Sequence, residues 1–159
     1  TLSLTDPLTG LANRRQLERE LAREFAAARR GRKLVAVVFD LDNFKLCNDR
    51  YGHLAGDEVL RIFGSILGQE TRAMNMAARY GGDEFVALLS DSTLERAAVF
   101  IERVRERFHE RMAELGRTEI TASAGMAEYH PSMPGPDALI AAADEALYQA
   151  KAARERPTA

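Results

Sequence analysis

Residues 34–39 form an unbroken apolar run, Leu-Val-Ala-Val-Val-Phe, which stops abruptly at Asp40-Leu41-Asp42. A run this short, rich in β-branched residues and apolar at every position, reads as a strand covered on both faces. The remaining elements follow from spacing. Asn13-Arg14-Arg15-Gln16 has the form of a capping box, and Leu17, Leu21, Phe25 and Ala28 then lie on one helical face. Val59, Leu60, Phe63, Ile66 and Leu67 mark a second amphipathic helix. Two strand-like runs on either side of Gly81-Gly82 predict a β-hairpin, because glycine alone takes positive φ freely at both turn positions. Ser92-Thr93-Leu94-Glu95 reads as a second capping box, opening a helix with Ala97, Ile101, Val104, Phe108 and Leu115 on one side. Ile120, Ala122, Ala124 and Met126 alternate as in a strand, and Pro136 opens a last helix through Leu139, Ala143, Leu147 and Ala150.

Without the first and last helices the order is β-α-β-β-α-β, the split ferredoxin-like arrangement. The fold class is therefore α+β, an antiparallel-rich central sheet flanked by helices. Right-handed crossovers leave a gap that places the third strand antiparallel beside the first. Asp40 then ends one strand where Asp83 begins its neighbour, and the two carboxylates meet at one end of the sheet. Composition narrows the function classes. At 159 residues the chain is one domain, and 46% hydrophobic with 29% charged residues excludes disorder. A net charge of -2 gives no electrostatic support for nucleic-acid binding. No apolar run is long enough to span a bilayer, and nothing near Thr1 reads as a signal peptide, so no direct membrane contact is expected. The lone Cys47 excludes an internal disulfide framework and fits a reducing, cytoplasmic setting.

Asp40 and Asp83 beside a Gly-Gly turn have the chemistry of a Mg²⁺ site, with the Leu41 carbonyl as a third oxygen ligand. Such a site favours phosphoryl or nucleotidyl transfer; the alternative is that these acids solvate a hairpin. Within the hairpin, Asp83 and Glu84 are expected on opposite faces. Asn48 and Asp57 offer an amide and a carboxylate that match the donor and acceptor edge of guanine, and Lys45 offers a point charge for phosphates. Taken singly, Asn48 and Asp57 read equally as turn residues and Lys45 as a solvated tip.

Arg79-Tyr80-Gly81-Gly82-Asp83-Glu84-Phe85 resembles the signature of the GGDEF family, the diguanylate cyclase catalytic domain. So do the opening residues 6–15, the segment 39–45, Asn48 to His53 with Gly56-Asp57, Ser123-Ala124-Gly125, and the closing residues 143–151. The resemblance implies a palm-like sheet of the nucleotide-cyclase kind. It also implies condensation of two GTP into cyclic di-3′,5′-GMP with release of two pyrophosphates, the bacterial second-messenger reaction. Asp40, Leu41 and Asp83 would bind Mg²⁺ or Mn²⁺, two ions per site. Asp83 would also be the base, with Glu84 and Lys45 assisting. Asn48 and Asp57 would read guanine, with His53 beside the substrate. Gly81 and Gly82 would let the nucleotide approach, and Phe44, Lys45 and Lys151 would hold the ribose and triphosphate. One GTP per domain implies homodimerisation, driven by an upstream sensor module. Residues 1–10 then read as a lead-in, 11–153 as the GGDEF domain and 154–159 as a tail.

Two departures from the family pattern stand out. The family's product-binding Arg-x-x-Asp corresponds to Arg72 and Asn75 here, and an amide cannot make the carboxylate's charge-assisted bond. After Lys151 the usual Gly-Arg-Asn is replaced by Arg154-Glu155-Arg156. The rival reading is a catalytically weak GGDEF domain that binds GTP or cyclic di-GMP and relays a signal.

Overall fold

The computed structural model describes residues 2–71 and 75–155. Its elements are α1 (Arg14–Arg29), β1 (Leu34–Asp42), α2 (Phe44–Tyr51), α3 (His53–Glu70), β2 (Met76–Gly81), β3 (Glu84–Ser90), α4 (Leu94–Glu114), β4 (Thr121–Glu128) and α5 (Pro136–Glu155). The sheet order is β2-β3-β1-β4 with every neighbouring pair antiparallel, the ferredoxin-like topology that the element order implies.

β1 is central and buried on both sides. Val35, Val37, Phe39 and Leu41 face the core built with α3 and α4, while Leu34, Ala36 and Val38 face that built with α1 and α5. Phe63 is the hub of the first core, its ring centroid 4.9 Å from Phe85, 5.1 Å from Phe108 and 5.5 Å from Phe39. The same two-residue period carries Asp40 and Asp42 to the α1/α5 face. α5 can lie close to β4 because Gly125 has no side chain; a Cβ there would stand 2.1 Å from the Leu147 backbone nitrogen.

The opening turn is docked on the domain. Thr9 packs over Gly64 and Leu11 over Gly68, and Ala12 forms a parallel bridge to Ala78 of β2. Asp6 Oδ2 accepts from the Thr9 amide at 2.9 Å and hydroxyl at 2.8 Å, and Asp6 Oδ1 pairs with Arg79 at 3.3 Å.

Several local expectations shift. β1 runs two residues past Asp40, and β3 starts at Glu84, which is the Cα partner of Asp40. The hairpin turn is Gly82-Asp83: Gly81 is the last residue of β2, and only Gly82 has positive φ, at 26°. Because Asp83 is in the turn, strand alternation does not send it and Glu84 to opposite faces. Thr93, not Ser92, caps α4 by accepting from the Arg96 amide. Leu115 is the half-exposed C-cap of α4, and Met112 is the buried residue of that turn. Residues 44–51 form a helix that the spacing left unassigned, broken from α3 at Gly52 with φ 92°.

Candidate active site

The β1–β3 ladder ends where the carboxylates gather. The Leu41 amide donates to the Asp83 carbonyl at 3.3 Å, which sets the turn beside the end of β1. Burial, then the neighbouring Asp40 charge, raises the Asp83 carboxyl above the ordinary carboxylate range. Glu84 is raised by burial, then by the charges of Asp40 and Asp144. Asp83 and Glu84 thus both sense Asp40. Arg79 fixes the turn from behind, its Nε donating to the Gly82 carbonyl at 2.9 Å while its other end pairs with Asp6.

The cations facing these acids come from α5. Lys151 Nζ donates to Asp40 Oδ2 and lies 3.9 Å from Asp42 Oδ1; Arg154 lies 3.8 Å from the same Asp42 oxygen. Asp42 also accepts from the hydroxyls of Thr121 and Ser123 at 2.7–2.8 Å. Leu41, Asp42, Asn43, Thr121, Lys151 and Arg154 together line an open depression of about 450 Å³ at the end of the sheet. Sequence reading missed Asp42, Thr121 and this use of Arg154. The signal for Asp42 was available, since residues two apart in a strand share a face.

Among the described residues, no three His, Cys, Asp or Glu side chains converge on one metal-sized point. The oxygen donors at the strand end, Asp40, Asp83 and the Leu41 carbonyl, suit a hard divalent ion that keeps other positions for water and phosphate.

A second group forms between α2 and α3. Gly56 has no side chain, and a Cβ there would stand 1.9 Å from Asn48 Oδ1 and 3.3 Å from the Phe44 ring. The carboxamide and the ring therefore lie directly on the α3 backbone, one residue from Asp57. Asn48, Asp57 and Phe44 are half-buried; His53 and Lys45 are exposed at the start of α3 and on α2. Asn75 has a local partner, its Oδ1 accepting from the Ser90 amide at 3.2 Å and so joining the start of β2 to the end of β3. Arg72 lies outside the described residues, as does Arg156.

A ferredoxin-like sheet whose acids, glycine turn and facing lysine all sit at one end of its central strands is a domain with its chemistry at a strand end. The sequence model described as "Diguanylate cyclase, GGDEF domain" matches residues 3–157, and the chain belongs to that family. It is 43% identical to the diguanylate cyclase DgcP of Pseudomonas aeruginosa, covering 97% of this chain and 23% of DgcP. It is 40% identical to the response regulator PleD of Caulobacter vibrioides, covering 95% of this chain and 34% of PleD. The chain thus spans a quarter to a third of these relatives. The GGDEF domain of DgcB from Caulobacter crescentus, solved with cyclic di-GMP, superposes with a TM-score of 0.86 at 34% identity, covering 96% of this chain and 92% of that one. SiaD of Pseudomonas aeruginosa, solved with its activator SiaC, gives 0.83 at 34% identity over 95% of this chain and 59% of that one. Catalysis in this family is metal-dependent. No helix among the described residues is long and apolar enough to cross a membrane.

Proposed function

We propose that this domain condenses two GTP into cyclic di-3′,5′-GMP and releases two pyrophosphates. The observation that supports the reading is the Lys151–Asp40 pair at the end of β1, beside a hairpin turn whose Asp83 and Glu84 both sense the Asp40 charge. Asp40, Asp83 and the Leu41 carbonyl would hold the divalent ions, Mg²⁺ or Mn²⁺ and two per site. When bound, these supply charge neutralisation on the triphosphate. Asn48 and Asp57 bind the guanine edge by hydrogen bonds, with His53 beside the nucleotide. Phe44 supports the ribose, and Lys45 and Lys151 hold phosphate oxygens as point charges. A Cβ at Gly81 or Gly82 would meet no atom of the protein within 4 Å. The positive φ of Gly82 accounts for that glycine; neither packing nor backbone conformation explains Gly81, whereas close approach of a nucleotide to the backbone does.

Asp83 accepts the proton of a 3′-hydroxyl, and Glu84 adds negative charge beside it. The freed oxygen forms a bond to the α-phosphorus of the other GTP as the bond to pyrophosphate breaks, in line. The same exchange in the opposite direction closes the ring. Each domain carries one GTP, so two domains must face each other, and pairing supplies the proximity contribution to the rate. In the cell the domain would act in the cytoplasm.

Incubation with GTP and Mg²⁺, followed by chromatography, tests the reading. The expected result is cyclic di-GMP with two pyrophosphates per molecule, abolished by Asp40→Asn; unchanged GTP would contradict it. Asn75 already serves the Ser90 amide and lacks a carboxylate's charge, so product inhibition through the Arg72–Asn75 position is weak. Added cyclic di-GMP is accordingly expected to leave the initial rate nearly unchanged, as a titration would read directly.

A further inference from the structure

The strand-end acids are already supplied with cations from the chain itself. Gly125 lets α5 sit against β4, which carries the last turns of the helix over the end of β1. Residues three apart on a helix share a side, so Lys151 and Arg154 both face the sheet end. Their bonds differ. Arg154 reaches Ser123 and the neighbourhood of Asp42, a carboxylate that also has the Thr121 and Ser123 hydroxyls. Lys151 alone donates to Asp40, among the described residues. Asp40 is the carboxylate assigned above to the divalent ion, and Lys151 is the ammonium assigned to the triphosphate.

We propose that Lys151 is an exchangeable counter-ion: it occupies Asp40 when no nucleotide is bound and releases it to the divalent ion when a triphosphate arrives to take the ammonium. Metal and nucleotide binding are then coupled through one side chain. A metal binding alone must displace an ammonium that has no phosphate to go to. A metal arriving with the nucleotide meets an Asp40 whose former partner is engaged elsewhere. Coupling of this kind is reciprocal and commonly amounts to fivefold or more in affinity. It would keep the site closed to free divalent ions and make metal loading follow the substrate. The inference rests on the proposed reading of this strand end as a metal and polyphosphate site.

The test is Mn²⁺ binding to the whole 159-residue chain without nucleotide, followed by calorimetry or by the loss of the free-ion electron paramagnetic resonance signal. Lys151→Met is expected to bind Mn²⁺ about fivefold or more tightly than the parent protein. Lys151→Gln, which keeps a hydrogen-bond donor for Asp40 and guards against a folding defect in the first variant, is expected to move the same way. Lys151→Arg should stay near the parent. Arg154→Met removes a nearby charge that does not touch Asp40 and should change the affinity by less than about twofold, since solvent screens a half-exposed neighbour. Binding that depends on Asp40 but is the same in parent, Lys151→Met and Lys151→Gln would overturn the counter-ion role and leave the proposed function standing. An equal gain from Arg154→Met would overturn it too, since general charge would then explain the result. Binding indifferent to Asp40→Asn in every variant would overturn the metal site itself, and the proposed function with it.

Discussion

Asp83 is a carboxyl held in an unfavourable place for its charge, half-buried in the hairpin turn and beside Asp40. Its raised pKa has a definite sign for stability. Between its ordinary value and the raised one, the folded chain binds more protons than the unfolded chain, so stability falls as pH rises through that window and stays lowered above it. Asp83→Asn removes the penalty. Without metal or nucleotide, the variant is expected to melt higher than the parent at neutral pH and to show no gain at acid pH below the window. Turnover should be lost at the same time, and paired melting curves with an activity assay would read both. Asp40, Leu41 and Asp83 were legible as single residues because a short apolar strand ending in acids announces its own end. The two-residue period also put Asp42 on the face of Asp40, but its partners Thr121 and Ser123 were hidden, since they come from a strand some eighty residues later. The exact turn was also hidden: Gly81 and Gly82 look alike in sequence, and only pairing with Glu84 shows which one closes β2.

The α2–α3 pair explains how the proposed base-binding group can form on two helices so near in sequence. Asn43 takes a left-handed conformation with φ 64°, and its side chain donates to the Glu119 carbonyl at 2.7 Å, fixing where α2 leaves β1. Gly52 then turns the chain with φ 92°, and Gly56 lets Asn48 lie on the α3 backbone. Gly56→Ala drives a methyl into the Asn48 carboxamide, the flexible end of a side chain. The fold should therefore survive with a loss of about 1–2 kcal/mol, while the amide is pushed off its position. The expected outcome is a KM for GTP raised about tenfold and weaker discrimination against ATP, consistent with one lost hydrogen bond to the base. Steady-state kinetics with both nucleotides would measure it; an unchanged KM would remove Asn48 from base recognition. α2 escaped the sequence reading because it is eight residues long, buries only Cys47, and begins at a residue with no side-chain cap. The longer helices, with four or more residues on a buried stripe, were readable from period alone.

At the scale of the molecule, the strand order β2-β3-β1-β4 was legible because element order and crossover handedness leave little choice. The docking of the opening turn on α3 was not, since Gly64 and Gly68 become informative only once Thr9 and Leu11 lie over them. That turn connects through Asp6 and Arg79 to the Gly82 carbonyl, which ties the opening segment to the β2–β3 hairpin. On the proposed reading, a single domain would hold only one half of a reaction that joins two GTP molecules. The most direct measurement is the initial rate of cyclic di-GMP formation at saturating GTP and Mg²⁺, over a tenfold range of domain concentration, for the parent chain and Asp83→Ala. Pairing of weakly associating domains predicts a rate that climbs about a hundredfold across that range, with no product from Asp83→Ala. A rate that climbs only tenfold, or product formed without the Asp83 carboxylate, would contradict the account.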